Sequence, residues 1–147
     1  MTRTQPVRTA PGHRMRSRLS TRNLGGVALF LFGTTYLWLT PAFAAPASDT
    51  SGAAWAVTLV LSLLTLAGFT VATWGLFHRN AWWVPVTLGS AGLGVLTLIP
   101  YWLAAAASAP NPGFDVLIHA VGCAGVFLLL LFPPLRAWVD AHVTSGR

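Results

Sequence analysis

From Leu24 to Phe132 the chain carries three formal charges, Asp49, Arg79 and Asp115, and all of them fall between or near the ends of four apolar runs. The runs cover residues 24–43, 53–77, 81–107 and 113–132. A helix that rises about 1.5 Å per residue needs about 20 apolar residues to cross a bilayer. Each run is too long and too uncharged for a strand or an ordinary soluble core helix. Charged residues make up 8% of the chain, against roughly 25% in a soluble domain, so lipid has to cover the surface. The pattern predicts an all-α polytopic membrane protein, a four-transmembrane-helix bundle. Residues 1–23 read as a disordered basic arm, 24–134 as the transmembrane domain and 135–147 as a short amphipathic tail.

Aromatic residues mark the run ends. Trp55 and Trp74 bracket the second run; Trp82 and Trp83 open the third, with Tyr101 and Trp102 near its far end. Each pairing spans roughly 30 Å, the hydrocarbon thickness, and the amphipathic rings of Trp and Tyr favour that interface. Pro100 is expected to kink or end the third helix. Asn111-Pro112 fits an N-cap with proline at the first helical position of the fourth. Beyond Pro133-Pro134, Leu135, Trp138, Val139 and His142 fall on one helical face, as in a surface helix lying in the interface.

The isoelectric point is near 11.5, which in a soluble protein would point to nucleic acid. Placement argues otherwise. Six of the nine arginines precede the first apolar run, and none of the basic residues is Lys. Arg14, Arg16, Arg18, Arg22, Arg79 and Arg136 are the candidate contacts to anionic headgroups, and no nucleic-acid partner is assigned. With four spans and the N-terminus inside, Arg79 falls in the inner turn, and Arg136 and Arg147 in the inner tail. Every arginine is then cytoplasmic, as the positive-inside rule requires. An arginine-only basic set also fits a GC-rich bacterial genome. The expected location is the bacterial inner membrane, with both termini cytoplasmic.

The stretch "TPAFAAPASD" admits a second reading. A basic segment, 16 apolar residues from Leu24 to Leu39, Pro41 and then Ala42-Phe43-Ala44 resemble a signal peptide. Cleavage after Ala44 would leave three spans in the same orientation. The uncharged stretch from Leu24 through Ala45 is long enough to cross completely, and we read it as a retained helix.

Reactive chemistry in a membrane usually announces itself as an ionisable residue at depth. This chain has no Glu and no Lys, and its three Asp lie near span ends, which argues against proton-coupled antiport. His78 and His119 lie at opposite depths, against bis-histidine haem ligation. No phosphate loop, dinucleotide fingerprint, zinc spacing or nucleophile elbow occurs. No catalytic residue, metal site or cofactor is assigned. The best constellation is "DVLIHAVGC": Asp115, His119 and Cys123 are spaced four apart and share one helical face. Asp115 in the first turn suits the positive helix end, and it is expected to orient His119 by a hydrogen bond. Thr58 and Ser62 on the second run would line the same outer polar pocket. The competing reading is packing, since Ser and Thr in membrane helices commonly bond to backbone or a neighbouring helix.

The stretch "WGLFHRNAWWVPVTLGSAGLGVL" resembles the second-to-third helix connection of DoxX-like bacterial membrane proteins, with an arginine in the inner turn after a Gly-Leu-Phe step. The resemblance implies a four-helix accessory protein tied to quinone- or thiol-linked redox chemistry. The residues themselves point to a non-enzymatic membrane protein, an accessory or assembly subunit acting through helix–helix or lipid contacts. Its partners would be the bilayer and other membrane subunits or further copies of itself. Reporter fusions at Ser48 and Ala107 are expected to be exported, and those at Asn80 and Arg147 to stay inside. Export of the Arg147 fusion would break the topology.

Overall fold

The computed structural model describes residues 20–43, 50–106 and 111–145. Among them all regular structure is helical: α1 (Thr21–Thr35), α2 (Ala53–Phe77), α3 (Trp83–Ala105), α4 (Pro112–Leu131) and α5 (Pro133–Val139). Three of these, α2, α3 and α4, are long and apolar enough to cross a membrane. The arm with Arg14, Arg16 and Arg18, and the Ala44–Ala45 junction, lie outside the described residues.

The second run forms α2 with the expected bounds, and α4 is displaced by one residue at each end. The first run differs from a single 20-residue helix. Its α-helix starts earlier, under a Ser20 cap that accepts from the Asn23 amide at 3.2 Å. It gives way at Tyr36 to a 3-10 turn (Tyr36–Leu39), followed by another at Pro41–Phe43. Proline at 41 has no N–H to continue an α-helix and clashes with the turn before it, which accounts for the break. Pro100, by contrast, does not end α3, which runs on to Ala105.

Helix α1 packs on α2, α2 on α3 and α3 on α4, each antiparallel to the last. One end of the bundle holds Leu76, Trp83, Leu130, Val139 and Val143. The opposite end holds Trp55 against Tyr101, ring centroids 6.1 Å apart. Arg22, Arg79 and Arg136 all belong to the first end. Arg22 donates from Nε and Nη2 to the carbonyls of Val143 (3.3 Å) and Thr144 (3.1 Å), tying the start of α1 to the π-helical turn that follows α5. Arg136 pairs with Asp140 at 3.0 Å on the surface. The tail therefore turns Val139 and Val143 into the core while Leu135 and Trp138 stay exposed.

The turn after α2 is closed by a Schellman pair. The Asn80 amide bonds the Gly75 carbonyl at 2.9 Å, and the Arg79 amide bonds Leu76 at 3.2 Å. Arg79 occupies the left-handed position with φ of 60°, where glycine is usual.

Glycine matters most where helices touch. A methyl on Gly33 would sit 2.7 Å from Cβ of Phe69, an atom that cannot swing away from its backbone. Gly33→Ala is therefore expected to lower stability by about 1–3 kcal/mol, the usual cost of overpacking. Gly89 on α3 meets nothing within 4 Å, so Gly89→Ala should be neutral or stabilising by up to about 1 kcal/mol through helix propensity. Thermal melts in detergent, followed by circular dichroism, compare the two; equal melting temperatures would contradict this packing.

Candidate functional site

Helix α4 presents Asp115, His119 and Cys123 to the interior, as their spacing requires. His119 is 1% exposed and Cys123 wholly buried, with Asp115 half-buried near the helix start. The three do not bond one another through their side chains. The carboxylate of Asp115 accepts from the Tyr101 hydroxyl at 2.5 Å, across the α3–α4 seam. His119 bonds the Asp115 backbone carbonyl instead, Nδ1 to oxygen 2.7 Å. A carbonyl can only accept, so Nδ1 carries the proton in this bond. The hydrogen bond expected between Asp115 and His119 runs to the Asp115 backbone carbonyl and not to its carboxylate. The reason is reach: a buried phenol on α3 points at the carboxylate, whereas the imidazole folds back along its own helix.

Tyr36 links this face to α1. Its hydroxyl lies 3.0 Å from Cys123 Sγ. Its ring meets the His119 ring at 4.8 Å, nearly edge to face. Gly94 on α3 makes room for it, because a Cβ there would collide with the Tyr36 hydroxyl and stand 3.2 Å from Cys123 Sγ. The 3-10 tightening begins at Tyr36, so the break in the first run coincides with the residue that reaches deepest into the site.

Thr58 and Ser62 are fully buried on α2. Thr58 donates to the Ala54 carbonyl at 2.8 Å, one turn back on its own helix. Ser62 Oγ and His119 Nε2 have no hydrogen-bond partner among the described residues. Neither Thr58 nor Ser62 hydrogen-bonds His119. Thr65 does cross helices, its hydroxyl 3.5 Å from that of Thr97. Antiparallel pairing nonetheless puts Ser62 and His119 near one depth. Thr65 faces Thr97, Tyr101 faces Asp115, and Gly94 faces Cys123, which brings both Ser62 and His119 level with Leu98.

Tyr36 and Tyr101 are the residues that organise the site. Tyrosines at those depths stand out among the outer-half polar residues of the sequence. Their partners lie 87 and 14 residues away in the chain, so spacing along one helix does not find them. Trp55 and Tyr101, placed in the interfacial belt by their spacing, turn inward at 3% exposure each, while Trp74, at 62%, faces outward. Among the described residues no three His, Cys, Asp or Glu side chains converge as a metal site would require.

The arrangement is a polar seam within an apolar bundle. It holds four helical segments in register through hydroxyl, thiol and imidazole contacts. The chain matches no family model, no curated protein and no solved structure.

Tyr101→Phe removes the donor to Asp115 and is expected to cost about 1–3 kcal/mol, as for a hydrogen bond to a charged group. A double-mutant cycle with Asp115→Ala, which removes the acceptor, read from thermal melts, measures the pair. Strict additivity of the two changes would deny the contact.

Proposed function

We propose that the chain is a small non-enzymatic integral membrane protein of the bacterial inner membrane. In this reading it has four spans and cytoplasmic termini, and it serves as an accessory or assembly subunit through helix–helix or lipid contacts. The observation that carries this reading is the inverted distribution of polarity. Among the described residues the interior holds Thr40, Thr58, Ser62, Thr65, Thr73, Thr87, Ser90, Thr97 and His119, while the exposed faces of α2, α3 and α4 present Leu, Val, Ile, Phe and Trp. A water-facing bundle would reverse that pattern, because exposed apolar patches of this extent are covered in soluble proteins.

Further support comes from the first run. Helix α1 and its 3-10 extension contribute Tyr36 and Leu39, both at 0% exposure, to the core. Removal of this segment would open the core, which favours a retained fourth span over cleavage after Ala44. The gathering of Arg22, Arg79 and Arg136 at one end supports the positive-inside orientation. Most interior hydroxyls bond a carbonyl one turn back, as Thr58, Thr73, Thr87, Ser90 and Thr97 do. Groups spent in this way serve packing rather than turnover.

A second reading, a DoxX-like redox accessory protein, draws on the contact between Cys123 and Tyr36, two oxidisable side chains 3.0 Å apart. Cys123→Ser without a phenotype, and no quinone extracted with the purified protein, would remove it.

For the main reading, extraction from washed membranes should require detergent. Purification in mild detergent should then yield a homo-oligomer or a co-purifying membrane subunit, seen by light scattering and mass spectrometry. A clean monomer without partner would count against an assembly role.

A further inference from the structure

Helices α1 and α4 do not pack backbone to backbone along their length. Phe32 and Tyr36 bridge them near mid-depth, where a Cβ on Gly122 would strike the Phe32 ring. Towards the arginine end the two helices part, and a cavity of about 340 Å³ opens between them, floored by α3 and closed at the end by α5 and the turn after it. Its walls include Leu24, Ala28, Trp83, Leu129, Val139 and Val143. That volume lies at the lower end of the roughly 300–1,000 Å³ of ligand sites, but the wall lacks the convergent polar groups that orient a compact polar ligand.

A charged group stands beside this wall. Thr21 and Val143 line the cavity, and Arg22, next to Thr21, is half-buried with its guanidinium on the carbonyls of Val143 and Thr144. These bonds use Nε and Nη2. No carboxylate among the described residues neutralises the charge, since Asp140 is engaged by Arg136. A partly desolvated guanidinium whose Nη1 has no partner among the described residues favours an anion, and its planar fork suits phosphate oxygens.

We propose that this seam is a binding site for one anionic phospholipid, with an acyl chain between α1 and α4 and the phosphate on Arg22. The proposal rests on the membrane reading above. Phospholipid is the occupant the charge selects: it joins an anionic phosphate to a long apolar chain, matching a cation set beside an apolar slot. The two chain carbonyls on Arg22 hold the guanidinium there, so the site is preformed. The seam opens sideways, where a bilayer lipid would enter.

The test is native mass spectrometry of the detergent-purified full chain, incubated with mixed micelles of dioleoyl phosphatidylglycerol or of dioleoyl phosphatidylcholine. Wild type should retain one phosphatidylglycerol and hold it about fivefold better than phosphatidylcholine, the ratio expected for one arginine near an anionic headgroup. Arg22→Gln should erase the preference. Ala28→Trp, which fills the slot, should lose both lipids, with helix content checked by circular dichroism. Equal retention of the two lipids by wild type would overturn the proposal, as would unchanged retention by a folded Ala28→Trp, or retention of free fatty acid alone. If Ala28→Trp fails to fold, Arg22→Gln decides the matter. A chain recovered from washed membranes without detergent would instead sink the membrane reading itself.

Discussion

A hydroxyl that faces hydrocarbon has no water to bond, and an unsatisfied polar group there costs several kcal/mol at the level of ~2–7. For a chain enclosed by lipid, that cost decides where every Ser, Thr and Tyr must point. The structure obeys it closely. Thr73, Thr87, Ser90 and Thr97 turn inward and donate to carbonyls of their own helices. Because these four hydroxyls are satisfied on their own helices, the helices can approach there on small residues without matching every donor across the gap. Gly68 against Ser90, and Gly33 against Phe69, are points where the neighbouring helix leaves no room for a Cβ. Side-chain bonds that do cross, at Tyr101, Tyr36, Thr65 and Thr73, then set the register.

Tyr36 has a further role. A long phenol cannot fit between four evenly packed α-helices unless one of them yields. Gly94 yields by having no side chain, and the first helix yields by tightening into a 3-10 turn. The irregular geometry of the first run is thus tied to the group it delivers, and α1 approaches α4 through side chains more than through backbone.

Much of this architecture is legible in the sequence, because apolar length and charge sparsity are strong local signals. Helix α2 keeps its expected bounds, since Gly52 precedes it and Arg79-Asn80 close it. The face shared by Asp115, His119 and Cys123 follows from helical period alone. What the sequence hides is which partner each polar atom takes. Asp115 has a histidine one turn away on its own helix and a tyrosine on the next, and only tertiary placement shows that the tyrosine wins. The first run fails as a simple helix for a related reason. Its composition suits a span, but Pro41 and the burial of Tyr36 act against regular winding, and composition does not weigh those two effects. Trp55 and Tyr101 look like belt residues because spacing gives depth, while facing depends on the neighbouring helix.

Arg79 merits a different kind of comparison. Glycine at that left-handed position would relieve a steric penalty of about 1–2 kcal/mol, yet the chain carries its only inter-span cation there. The hairpin between α2 and α3 therefore accepts local backbone strain in order to hold a positive charge in a five-residue turn. In the bilayer proposed above, drawing that charge into hydrocarbon would carry a desolvation cost, so a single turn would resist sliding of the α2–α3 hairpin along the membrane normal.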